Sequence, residues 1–193
     1  KVLVHQFVTV MKDGEPVKMS TRKANFVTLD ELINEVGSDV VRYFFLMRGM
    51  NTHLNFDIDI AKKQTDENPV FYLQYAHARI SNLIKRSKVD FSNDQIIDLI
   101  SNKSCFIDEE HHLICKALNF PLFVERALNN LDPQIISNYL QDIASSFHKY
   151  YAKKRIITNN EEETIQNILI CRSIQIVIKN GLTILGIKAP ERM

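Results

Sequence analysis

With 193 residues, 45% of them apolar and 24% charged, the chain carries enough hydrophobic material for a real core and is not a disordered segment. A formal net charge of +1 provides no global basic field, so any nucleic-acid site must rest on local patches. Three scattered cysteines, Cys105, Cys115 and Cys171, form neither a disulfide framework nor a metal-ligand spacing and fit a reducing cytosol.

In chain order, Val2 to Met11 mix β-branched and aromatic residues and then meet Asp13-Gly14, a hairpin turn dipeptide, before Glu15-Pro16-Val17 returns. This is the only β structure the sequence predicts. Because a two-stranded ribbon is marginal alone, it is expected to be the edge of a larger sheet lying upstream. The polar stretch Lys18-Met19-Ser20-Thr21-Arg22-Lys23-Ala24-Asn25 follows, with three cations and two hydroxyls. Such a loop suits polyphosphate, because Lys and Arg neutralise phosphate oxygens and hydroxyls donate to them; a solvated surface loop is the plainer alternative.

From Thr28 the periodicity is helical. Thr28 and Glu31 form a capping box for a helix ending at Gly37, and Ser38 is the expected N-cap of the next. Gly49 to Asn55 reads as a polar connection, and Asp57 caps a short helix. Asn68-Pro69 pairs an N-cap with a first-turn proline, opening a helix to about Lys88. That helix carries a core stripe of Leu73, Ala76 or His77, Ile80 and Ile84, and a second line of Tyr72, Tyr75, Arg79, Asn82 and Arg86. Further helices are expected from Ser92 to about Ile100, Asp108 to about Leu118 and Phe120 to Asn129. Asp132-Pro133 repeats the cap-plus-proline device, with a stripe of Ile136, Leu140, Ile143, Phe147 and Tyr150-Tyr151 ending near Lys154. Asn160 and Glu163 cap a last helix reaching about Leu185. Its apolar run, Ile174 to Ile187, contains Lys179, Asn180 and Gly181 and reads as a buried helix rather than a membrane span. The expected fold is mainly α, a helical bundle behind a short β-ribbon.

Two helices concentrate cations beside aromatics. Asn68 to Val89 holds Arg79, Lys85, Arg86 and Lys88 without an acid, and Ser145 to Asn160 holds Lys149, Lys153, Lys154 and Arg155 beside Tyr150 and Tyr151, again without an acid. Cations hold phosphates and exposed aromatics stack unpaired bases, so the pattern suits looped RNA; two solvated helix faces are the alternative. His111-His112 and His77 read as structural, and no metal site or nucleophile–base pair is expected.

On these residues the chain resembles the C-terminal part of the bacterial arginyl-tRNA synthetases, a family of class I aminoacyl-tRNA synthetases. The matching segments are Lys18 to Leu29, Asp39 to Arg48, Asn68 to Ile80 (NPVFYLQYAHARI), Ser146 to Tyr151, and Asn180 to Met193 (NGLTILGIKAPERM). The resemblance implies that residues 1–56 are the end of a Rossmann-like catalytic domain and residues 57–193 a helical anticodon-binding domain. It implies a KMSKS-type loop in which Lys18, Met19, Ser20 and Thr21 meet ATP and the pairing with leaving pyrophosphate falls on Lys18, Arg22 or Lys23. Thr21 stands where the general class I pattern has its second lysine. The resemblance also implies ATP as substrate with Mg2+, L-arginine, an arginine-accepting tRNA, and a monomeric cytoplasmic enzyme without membrane attachment. For tRNA it points to Tyr72, Tyr75, Arg79, Arg86, Lys149, Tyr150, Tyr151, Lys154 and Met193. None of the six histidines has glycine two places later, so the upstream His-x-Gly-His element is not in this sequence. The chain is therefore expected to be inactive alone; a non-catalytic tRNA-binding module and a helical protein-interaction scaffold are the other readings.

Overall fold

The computed structural model describes residues 2–17, 27–91 and 106–193. The loop at 18–26 and the helix expected from Ser92 to about Ile100 lie outside the described residues.

Strand β1 (Val8–Lys12) turns at Asp13-Gly14, both at positive φ (52° and 76°), into β2 (Glu15–Pro16). Residues 2–7, expected to belong to the strand, lie outside it and are largely exposed. A third strand, β3 (Leu54–Asp57), pairs in parallel with β1, Val8 opposite Leu54 and Val10 opposite Phe56, giving the order β2-β1-β3. The expected polar connection therefore ends in a strand. Leu54 and Phe56 alternate inward with Asn55 outward, the period-two pattern of a half-buried strand, but four residues are too few to read with certainty from sequence.

Helix α1 (Leu29–Val36) has the expected capping box: Thr28 Oγ1 accepts from the Glu31 N–H (3.1 Å) and Glu31 Oε2 from the Thr28 N–H (2.7 Å). Helix α2 (Ser38–Leu46) begins one residue earlier than expected. Gly37, at φ 91°, takes the cap position, and Ser38 is the first helical residue with no side-chain cap bond. Asp57 Oδ1 caps α3 (Ile58–Lys62), accepting from Asp59 and Ile60 N–H. Val10, Leu32, Val41, Phe44, Phe56, Ile58 and Ala61 form one buried cluster around this small sheet.

The second and larger cluster belongs to the helices that follow. Asn68 caps α4 (Pro69–Ser87) and also donates to the Ala61 and Lys63 carbonyls, which fixes where α4 leaves the first unit. Next come α5 (Asp108–Leu118), α6 (Phe120–Asn130), α7 (Gln134–Lys153) and α8 (Glu161–Ile184). At the start of α7, Pro133 holds the cap position rather than the first turn, while Asp132 Oδ1 still accepts from the Gln134 N–H at 3.0 Å. Helix α8 packs against α4, α5 and α7 through Ile168, Ile174, Ile178 and Leu182, all fully buried. Each such side chain contributes about 1.5–3 kcal/mol on leaving water. Among the described residues no helix is long and apolar enough to cross a membrane.

A candidate nucleic-acid interface

Helices α4 and α7 pack together, and the polar line of α4 meets the last turns of α7 at the rim of that contact. Tyr72, Tyr75 and Arg79 recur at helical spacing on α4; His148 and Tyr151 do so on α7. The Arg79 guanidinium lies 4.4 Å from the Tyr75 ring centre and 4.8 Å from that of Tyr151, a cation held between two aromatic faces. It also donates to the Tyr75 hydroxyl, and its Nη1 lies 3.3 Å from His148 Nδ1.

His148 forms the floor of this arrangement. Its ring sits 4.7 Å from Tyr72 and 6.1 Å, nearly parallel, from Tyr75. Burial and the adjacent Arg79 charge push its pKa down to about 4, so the ring is neutral at pH 7. With Nδ1 facing the Arg79 donor, the neutral ring carries its proton on the buried Nε2, and a hydrogen bond to the Tyr72 backbone opposes part of the downward shift. Phe71 extends the stack, 6.1 Å from Tyr75 and nearly parallel. Tyr75 keeps 39% of its surface exposed, so part of the platform reaches solvent. His148 and Phe71 were missed as candidates by residue type, although His148 lies one turn from Tyr151 and Phe71 one turn from Tyr75.

Met193 reaches the same neighbourhood through the C-terminal tail, which is pinned along α4. His77 Nδ1 is 2.8 Å from the Pro190 carbonyl, Gln74 Nε2 donates to the Lys188 carbonyl (2.9 Å), and Lys85 pairs with Glu191 (2.8 Å). His77 is thus the structural histidine expected, its pKa lowered by burial. Met193, 55% exposed, and Tyr75 line one groove of about 610 Å³, together with Lys62, Lys63 and Gln74.

Two expected contact residues are placed otherwise. Tyr150 is 1% exposed and belongs to the core; its hydroxyl lies 3.3 Å from Asn167 Oδ1 and 3.4 Å from Glu110 Oε1, and burial raises its pKa. It continues the inward stripe of Phe147, which turns its neighbour Tyr151 outward to the rim. Lys154 is committed to Glu110, itself 1% exposed, at 2.8 Å, with Glu163 at 3.7 Å, because a buried carboxylate needs a paired cation. Lys149 and Arg86 are exposed, and no carboxylate pairs with either among the described residues. The loop residues Lys18, Met19, Ser20, Thr21, Arg22 and Lys23 lie outside the described residues. Among those described, no group of three or more His, Cys, Asp or Glu side chains is placed to hold a metal ion.

Two family patterns match the chain. The one described as DALR anticodon binding domain matches residues 73–193, and the one described as tRNA synthetases class I (M) matches residues 1–88. Over its full length the chain is 46% identical to the arginine–tRNA ligase of Salinibacter ruber and 44% identical to that of Chlorobium phaeovibrioides. It spans 34% and 35% of those proteins, about a third of the length of the curated relatives it matches. Among solved structures, a Campylobacter jejuni protein assigned as an arginyl-tRNA synthetase superposes with a TM-score of 0.81 at 31% identity, over 98% of this chain and 40% of that one. The Thermus thermophilus arginyl-tRNA synthetase shares the fold with a TM-score of 0.77 at 23% identity, over 96% of this chain and 34% of that one.

Proposed function

The chain belongs to the DALR anticodon-binding domain family, and from that premise we propose that its helical unit holds the anticodon loop of an arginine-accepting tRNA. The observation that carries the proposal is the Arg79 guanidinium held between the Tyr75 and Tyr151 rings, with Tyr75 open to solvent. A flat cation–aromatic platform that reaches solvent suits an unstacked base, each such stack being worth about 1–3 kcal/mol. Tyr72 braces His148 beneath the platform, Lys149 and Arg86 bring positive charge to its surroundings, and Met193 closes one side of the groove beside Tyr75.

On the same reading the chain is part of an arginyl-tRNA synthetase, which forms an arginyl-adenylate from ATP and L-arginine and passes the arginine to tRNA. Residues 1–56 then end the catalytic unit and residues 57–193 form the anticodon-binding unit. Lys18, Arg22 and Lys23 meet the charge that develops on leaving pyrophosphate, while Met19, Ser20 and Thr21 lie against ATP. Mobile cations act there mainly in the transition state, where that charge appears. Mg2+ accompanies the ATP phosphates, and none of the described residues is assigned to it. The whole protein is proposed to be a cytoplasmic monomer.

The test is equilibrium binding of this chain to an arginine tRNA transcript and to one with a changed anticodon. Tyr75→Ala and Tyr151→Ala each weaken binding by about 5- to 150-fold, and unchanged affinity overturns the platform. In the full-length protein, Lys18→Ala lowers arginine-dependent ATP–pyrophosphate exchange; an unchanged rate removes that role. A second reading, a tRNA-binding module without catalysis, is favoured by the platform being assembled wholly from α4 and α7, independently of residues 18–26. It predicts tRNA binding with no exchange activity in the full-length protein.

A further inference from the structure

Next to the platform, the chain leaves α7 at Lys153, passes through Lys154 in an extended conformation (φ −118°, ψ 131°), and turns toward Ile157. Together with Leu83 and Arg86 from the end of α4, this segment lines an open cavity of about 410 Å³. Tyr151 is shared: one ring contributes to the platform and to the wall of the cavity.

The charges around this cavity sort into two kinds. Lys153 pairs with Glu109 at 3.0 Å, and Lys154 is committed to Glu110 and Glu163. Arg86 and Arg155 are exposed, and no carboxylate pairs with either among the described residues. Arg155 is held by its own backbone, its Nε donating to the Ile157 carbonyl at 3.0 Å, which leaves the two terminal nitrogens of the guanidinium for a ligand. Among the described residues, no carboxylate lines the cavity. Two guanidinium groups that no carboxylate pairs among the described residues, set around a concave space, suit phosphate, which arginine grips with paired N–H donors.

We propose that this cavity is a backbone-phosphate subsite for the RNA strand, in which Arg86 and Arg155 hold the phosphate next to the nucleotide stacked against Tyr151. The assignment rests on the anticodon-loop reading above and adds to it a contact that fixes the strand without reading a base. Phosphate contacts position a strand and carry no sequence information, whereas stacking and edge contacts discriminate. The cavity therefore sets register, and the platform beside it does the reading.

The experiment measures binding of this chain to the arginine tRNA transcript and to the changed-anticodon transcript between 50 and 200 mM salt. The double variant Arg86→Ala/Arg155→Ala weakens both RNAs by the same factor, about tenfold. It also makes the dependence of log K on log salt shallower by about 0.7 for each phosphate that the variant no longer neutralises. Restoring charge with Arg86→Lys/Arg155→Lys returns most of the salt slope. Both side chains are exposed, so thermal melting is expected to be unchanged; the lysine variant separates lost charge from altered folding. An unchanged salt slope in the alanine variant overturns the proposal, as does a loss confined to one of the two RNAs. Binding of neither RNA by the unmodified chain overturns the anticodon-loop reading and this subsite with it. Binding by the unmodified chain with an indifferent double variant overturns the subsite alone.

Discussion

His148 shows how one side chain can tie a binding surface to stability. Its ring is neutral chiefly because burial disfavours the charged form, and protonation would also place a second cation beside Arg79. In the unfolded chain the same histidine titrates near pH 6.5. The folded state therefore binds fewer protons than the unfolded state between about pH 6.5 and 4, and the stability is fully present above that window and falls as pH drops through it. Urea midpoints measured from pH 7.5 down to 4.5 should decline, and His148→Gln should flatten part of that decline. His77, also held low by burial, accounts for a further part. The adjacent tyrosines give the matching lesson about legibility. The spacing Ile136, Leu140, Ile143, Phe147 continues at 150 and not at 151, so the inward fate of Tyr150 was readable from the stripe. What the spacing could not supply was the Arg79 guanidinium lying between Tyr75 and Tyr151, which depends on how α4 and α7 cross.

Among the elements, α7 and α8 approach closely at a single glycine. A Cβ added at Gly181 would fall 2.5–3.0 Å from the Leu140 side chain, which is itself fully buried. Gly181→Ala gains about 1 kcal/mol in helix propensity but meets an overpacking cost of about 1–3 kcal/mol. The expected net result is a loss of stability of up to about 2 kcal/mol, read as a lower urea midpoint with an unchanged slope. The helix starts at Thr28, Asp57, Asn68 and Asn160 were legible because a side-chain oxygen that accepts an orphan N–H is a local device. Strand β3 was not, because its reason for being a strand is β1, far away in the chain. Lys154 likewise looked like free charge until α5 brought Glu110 against it.

Across the whole molecule, α2 joins the two cores: Val41 and Phe44 face the sheet cluster, while Tyr43 enters the bundle and its hydroxyl accepts from Gln141 Nε2 at 2.9 Å. Asp39 Oδ2 receives both Gln74 Nε2 and the Lys188 N–H, each at 3.2 Å, so the first turn of α2 also holds α4 and the tail. The likeness to arginyl-tRNA synthetases read from the loop, the NPVFYLQYAHARI helix and the final residues extends across the chain in the relatives found. The parallel pairing of β1 with β3 has a consequence in time. Joining Val8 to Leu54 closes a long loop for only a few ladder hydrogen bonds, whereas each turn of α4 or α8 forms from neighbours. The helices should assemble first and the sheet last, and the sheet should open first in the native state. Amide hydrogen exchange will show this order: Val10 and Met11 exchange at much lower opening free energy than Ile143, Phe147 or Ile174.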